Sequence, residues 1–179
     1  MQQDVTSGTT ADCAHHVGLT SEEPGSGELV RELVPARRLG DGLVEITGSP
    51  ALVMGCAAGD VLRVEEGGRF EVLRRGPNVS VQAFCDPAFS VDEVQRLTDG
   101  LRSLGGIVEA PPHRRFLVAT VPSAAGRSSI DARVHHWAVS IQSVYWQYSA
   151  SDHQPDSQTT EEGPGAEASD AFPQLDLFS

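Results

Sequence analysis

The sequence predicts an α+β protein in which two folded modules lie between two arms expected to be disordered. Three observations predict it. Large apolar residues concentrate between residues 28 and 149. The first part of that stretch alternates apolar and polar residues in short runs bounded by Gly and Pro, and the second part adds two runs with helical spacing. All 13 arginines and 13 of the 25 acidic residues fall within 31–149, so the body is neutral and the arms carry the net charge of −12.

Residues 1–27 are rich in Ser, Thr, Gly and acidic side chains and are expected to form a disordered arm, because they bury too little apolar surface to offset their ordering entropy. From Glu28 the pattern changes. The runs "ELVRELVPARRL", "GLVEIT", "DVLRVEE" and "RFEVLRRG" read as strands, with Gly67-Gly68 as a two-residue hairpin turn between the last two. Residues 28–76 therefore predict a small, strongly bent antiparallel module, barrel-like in form. Between its strands, "SPALVMGCAAGD" reads as a buried loop whose glycines permit close backbone approach. A ligand loop is the alternative, but the spacing is not that of a phosphate-binding glycine loop.

Residues 77–149 predict a second module. "NVSVQAF" alternates as a strand, and "SVDEVQRLTDGLRSLGG" follows as a helix. Ser90 and Glu93 form a capping box, Val94, Leu97, Leu101 and Leu104 make an apolar stripe, and Gly105-Gly106 ends it. "IVEAP" and "RFLVATVP" are two further strands. A second helix is expected from Ser128, with Asp131 three residues on and Ile130, Val134, Trp137 and Ile141 facing inward. "SVYWQYS" is the last strand. The order β-α-β-β-α-β is that of the ferredoxin-like fold, whose helices cover one sheet face and leave the other free to pack on the first module. The aromatic strand Tyr145-Trp146-Gln147-Tyr148 is expected to pack there. Base stacking is the alternative, and the paired aromatic motifs of sheet-surface RNA binders are not found in "NVSVQAF" and "RFLVATV".

The strings "SPALVMGCAAGDVLRVEEGGRFEVLRRGPNVSVQAF", "LRSLGGIVEAPPHRRFLVATVP" and "VYWQY" resemble the bacterial family called domain of unknown function 4265, over roughly residues 28–150. Gly59-Asp60-Val61 with Arg63-Val64 is the most telling piece. The resemblance supports the two-module architecture and implies no activity.

Several function classes are excluded or weakened. No apolar run of about 18 residues is present for a membrane span, and the polar start Met1-Gln2-Gln3-Asp4 lacks a secretion signal, so the expected location is cytoplasmic. A neutral body predicts no strong direct nucleic-acid binding. Cys13, Cys56 and Cys85 are too widely spaced for a disulfide framework or paired zinc ligands. Cys13-Ala14-His15-His16 offers donors without a second ligand pair, so no metal and no cofactor are expected. His113 with Arg114 and Arg115 reads as an anion site or, more simply, as solvated turn charges. His135 and His136 are helix neighbours expected to differ in burial. No nucleophile elbow, dinucleotide fingerprint or zinc helix occurs, so the protein is read as non-enzymatic.

Residues 150–171, "ASDHQPDSQTTEEGPGAEASDA", lack apolar periodicity and read as an acidic disordered linker. Residues 172–179, "FPQLDLFS", then return to large apolar side chains. Gln174-Leu175-Asp176-Leu177-Phe178 is identical to the favoured pentapeptide by which bacterial replication and repair proteins bind the DNA sliding clamp (the beta subunit of DNA polymerase III). The resemblance implies a polar pocket for Gln174, an apolar pocket for Leu177 and Phe178, rim contact for Leu175 and a partly solvated Asp176. From average residue usage such a match arises by chance on the order of once in a few thousand chains, which makes it a signal. A terminal segment folding back onto the sheet is the competing account of the same apolar residues. The sequence thus points to an accessory protein that tethers itself to the clamp, or competes for it, in replication or repair, with a possible second protein partner for the body. An immunity or inhibitor protein acting through the folded body is the alternative, and a small enzyme with an unrecognised site ranks third.

Overall fold

Strand β1 (His15–Glu22) pairs antiparallel along its length with β2 (Leu29–Gly40), from His15 opposite Ala36 to Glu22 opposite Leu29. The computed structural model describes residues 15–22 and 27–149. The expectation of a disordered arm over 1–27 is therefore corrected for 15–22. Val17 and Leu19 point to one face, and Leu19 is fully buried with Val34 and Val53. Two inward residues are enough to fix a strand once a long neighbour is present, because its ladder satisfies the backbone groups of both.

β3 (Leu43–Ile46), β4 (Val61–Val64) and β5 (Phe70–Arg74) continue the sheet in the order β1-β2-β3-β4-β5, with every pair antiparallel. Inward residues Val34, Ala36, Val44, Ile46 and Leu62 form its core. The β4–β5 connection is a three-residue loop, Glu66 to Gly68, rather than the expected two-residue turn, because the Glu65 N–H bonds the Arg69 carbonyl at 2.9 Å. Gly68 has φ +88°, and a Cβ there would sit 2.7 Å from the Gly18 carbonyl oxygen. That close approach serves a contact between β1 and the β4–β5 loop: Thr20 donates from its N–H to the Gly68 carbonyl at 2.8 Å and from Oγ1 to the Gly67 carbonyl at 3.0 Å.

The second half runs β6 (Asn78–Cys85), α1 (Val91–Arg102), β7 (Ile107–Glu109), β8 (Phe116–Pro122), α2 (Arg127–Ala138) and β9 (Val144–Tyr148), with sheet order β7-β8-β6-β9. All three pairings are antiparallel. The Ser90–Glu93 capping box opens α1 as expected, and Leu97 and Leu101 are buried. α2 starts at Arg127 behind Gly126 and has no side-chain cap. Asp131, expected near that cap, instead accepts from the Tyr148 hydroxyl at 2.8 Å, while the Arg127 guanidinium lies 3.8 Å from the Tyr148 ring centre. Both helices cover the face made by Val81, Ala83, Leu117, Ala119 and Val121, and Ile130, Val134 and Trp137 fill the layer. Two antiparallel sheets and two helices make the chain α+β. Among the described residues no helix is long and apolar enough to cross a membrane.

Truncating Leu19 tests the place of β1 in the core. Leu19→Ala is expected to lower the unfolding free energy by about 2–4 kcal/mol, the range for deleting a buried leucine. Chemical denaturation measures it, and an unchanged midpoint would show that β1 is not part of the folded unit.

Candidate functional site

The loop between β3 and β4, residues 47–60, runs between the two sheets, and its backbone has few regular partners. Side chains from both modules supply them. The Glu32 carboxylate of β2 accepts from the N–H groups of Ala51, Leu52 and Val53 at 3.0, 2.9 and 3.1 Å, and Ser21 Oγ accepts from Met54 N–H at 3.1 Å. From the second sheet, Gln82 Nε2 donates to the carbonyls of Pro50 and Val53, each at 3.2 Å. Thr120 bonds Ser49 at 2.7 Å, and Ser149 Oγ donates to the Cys56 carbonyl at 3.0 Å. Asp60 is 1% exposed; its carboxylate accepts from Ala57 and Gly76 N–H at 3.0 and 2.6 Å and pairs with Arg75 at 3.1 Å.

This is the buried loop that the sequence suggested. Gly59 and Gly76 pack backbone to backbone, so a Cβ on Gly76 would overlap Gly59. Three successive amides that could cradle an anion are already filled by Glu32. Burial, reinforced by the Asp60 charge, pushes the Cys56 thiol up to about 12, and burial also raises Cys85. Neither is a thiolate at neutral pH. Ser80 Oγ is the buried side-chain polar atom without a partner among the described residues.

The aromatic strand does not pack as expected. The register sets Trp146 opposite Ala83 and Tyr148 opposite Val81, which turns both rings toward the helices, where they join that core. Gln147 and Ser149 face the first module in their place. Tyr145 is 49% exposed and stacks on Phe84 at 6.3 Å, Phe84 lies opposite Phe116, and His113 meets Phe116 at 5.2 Å. These rings form a row across three strands that the sequence reading missed, although Phe84 and Phe116 both sit in the quoted central strands.

The remaining candidates take up structural roles. His15 Nε2 accepts from Arg38 at 3.2 Å, and Cys13 lies outside the described residues. No group of three or more metal-ligating side chains occurs among the described residues. His113 Nδ1 accepts from Arg115 N–H, Arg114 Nε bonds the Phe89 carbonyl at 2.9 Å, and Arg115 lies 3.7 Å from Asp86. That connection is tied to the protein's own carbonyls and carboxylates. His135 and His136 are both exposed, so the expected difference in burial is corrected: the inward face of α2 is already taken by Val134, Trp137 and Ala138. Gln174, Leu175, Asp176, Leu177 and Phe178 lie outside the described residues.

Among the described residues a shallow cleft of about 490 Å³ lies between the end of β1 and β5, lined by Thr20, Ser21, Glu22, Leu29, Gly55, Arg69, Phe70 and Val72. It sits just past the Thr20–Gly68 bond. Its signal in the sequence was the short alternation of Val17 and Leu19, without which β1 and this wall are invisible.

Replacing Glu32 with Gln keeps its shape but turns one acceptor into a donor facing amide N–H groups. Glu32→Gln is expected to cost about 1.5–3 kcal/mol of stability, the range for hydrogen bonds to a charged group. Urea denaturation measures it, and a loss below a few tenths would mean that water replaces the carboxylate without penalty.

A solved structure described as "Novel crystal structure of a hypothetical protein from Neisseria gonorrhoeae" matches with TM-score 0.61 and 13% sequence identity, covering 76% of this chain and 94% of that one. At that identity the likeness shows the fold alone. No curated protein matches the chain. A family model described as "Domain of unknown function (DUF4265)" matches residues 32–141, well over half of the sequence and most of both sheets, and the chain therefore belongs to that family.

Proposed function

We propose that this protein is a non-enzymatic, cytoplasmic accessory factor that binds the bacterial DNA sliding clamp through Gln174, Leu175, Asp176, Leu177 and Phe178, as a tether or competitor in replication or repair. The observation that carries the reading is the pentapeptide itself, which begins 25 residues beyond Ser149. Glu32, Asp60, Gln82 and Ser149, the polar groups at the buried loop, are engaged by the protein's own backbone, which supports a binding role over a catalytic one. The strand order β7-β8-β6-β9 supports a ferredoxin-like second module, and the Thr20–Gly68 bond supports a barrel-like first one.

Burying a leucine or phenylalanine contributes roughly 1.5–3 kcal/mol, and ordering a peptide costs about 2–5 kcal/mol. Two such anchors alone fall short of a micromolar contact, about −8 kcal/mol, so Leu175 and the hydrogen bonds of Gln174 supply much of the remainder. Such a contact is transient.

Clamp titrations test the reading. Phe178→Ala is expected to cost about 2–4 kcal/mol and Gln174→Ala roughly 1–2 kcal/mol, while Asp176→Ser stays near wild type. A wild-type chain that does not bind its own organism's clamp at tens of micromolar, as read against the affinity scale, would end it.

The row of an exposed Tyr145 with half-buried Phe84 and Phe116 favours a second reading, in which the body binds a protein partner as an immunity or inhibitor protein does. Interfaces are enriched in such rings. A partner retained by the wild-type chain and lost with Tyr145→Ala would support it; identical retention by both chains would remove it.

A further inference from the structure

We propose that residues 172–178 of this chain dock in the cleft between β1 and β5, so that body and clamp compete for one peptide. The proposal rests on the clamp-binding reading for its consequence, while the docking itself stands on the geometry of the cleft and its distance from the peptide.

The chain leaves the described body at the wall of the cleft. The Ser149 carbonyl accepts from the Gly55 N–H at 2.6 Å, and Gly55 lines the cleft. A segment of 22 residues, the length of 150–171, spans at most about 75 Å, which is long enough for the peptide to reach the cleft. Attached at that range, it is presented at an effective concentration of about millimolar. A docking contact with a dissociation constant of about 0.25 mM, weak between separate molecules, is then about four-fifths populated.

The cleft has the form an extended peptide needs. Among the described residues β1 is laddered only to β2 and β5 only to β4. The Thr20–Gly68 bond joins them at one end, and no ladder links Ser21 and Glu22 to Phe70–Arg74 beyond it. Two unladdered edges facing one gap accept an added strand, with alternate side chains directed inward. Leu29, 65% exposed, offers apolar surface with Phe70 and Val72, and the volume suits two large side chains. The peptide supplies them in Leu175 and Leu177 or in Phe172 and Phe178.

Charge sets the direction. Arg69 stands exposed at the cleft and makes no ion pair with a described residue. Residues 150–179 carry seven acidic side chains and no arginine, and Asp176 lies within the peptide. Glu22 on the opposite wall repels the same carboxylate, so Asp176 is placed on the Arg69 side. Docking lowers the apparent clamp affinity in proportion to the fraction of peptide held by the body.

Amide NMR spectra of the full chain and of its Leu177→Ala/Phe178→Ala double variant give the direct test, since these changes lie outside the body and leave its fold alone. Shifts at Thr20, Ser21, Gly55 and Val72 are expected, and superimposable spectra at those amides overturn the docking. Clamp titration gives the consequence. Arg69→Glu in the full chain is expected to tighten clamp binding by about fivefold, and a synthetic peptide 170–179 is expected to bind the clamp at least as tightly as that variant. A peptide that binds while Arg69→Glu matches wild type overturns the competition. A peptide that ignores the clamp overturns the proposed function instead, and leaves the docking to be decided by the spectra.

Discussion

The Glu32 carboxylate and the three amides it holds set the relation between the two halves of this protein. A segment of 14 residues, 47–60, lies between two sheets with much of it buried, and its backbone there has no ladder to bond. Each unpaired group would cost about 1–3 kcal/mol. Glu32 and Ser21 satisfy the loop from one module, Gln82, Thr120 and Ser149 satisfy it from the other, and Asp60 closes its end onto Gly76. The modules share a polar layer in place of a common apolar core. Its geometry is correspondingly strict, because hydrogen bonds are directional and apolar contacts are not.

That layer explains the otherwise odd composition of the inner strands. Ser80, Gln82 and Thr120 stand on the sheet face toward the loop, where burial alone would call for Val or Leu, while Val81, Ala83, Ala119 and Val121 fill the helical face. The sheet is buried on both sides but by different physics on each. Cys56, at the heart of the layer, shows the local environment: surrounded by protein and close to the Asp60 carboxylate, its thiol keeps its proton.

Much of this was legible from local sequence. Capping at Ser90, the stripe Leu97–Leu101, the turn at Gly105 and the strands of the second sheet are all determined within a few residues, and the structure has them where the pattern places them. What was hidden depends on distant partners. β1 carries two inward residues and becomes a strand only beside the 12-residue β2. Trp146 and Tyr148 were assigned to the wrong face because their direction depends on their pairing with Ala83 and Val81, a register that "VYWQY" alone does not contain. The cleft follows from β1 and was lost with it. The pentapeptide 174–178 is the reverse case, recognisable as a string and requiring no fold at all.

The anchoring of Ser149 has a mechanical consequence. It follows an edge strand, and an edge strand pulled from its end peels away one bond at a time. Here the same residue is held by its N–H to the Ser80 carbonyl, by its carbonyl to the Gly55 N–H and by its hydroxyl to the Cys56 carbonyl. Just before it, Tyr148 is clasped by Asp131 and Arg127 on α2. Tension on the chain beyond Ser149 is therefore shared among the second sheet, its second helix and the loop of the first module, and the body resists being unravelled from the end by which it would be tethered.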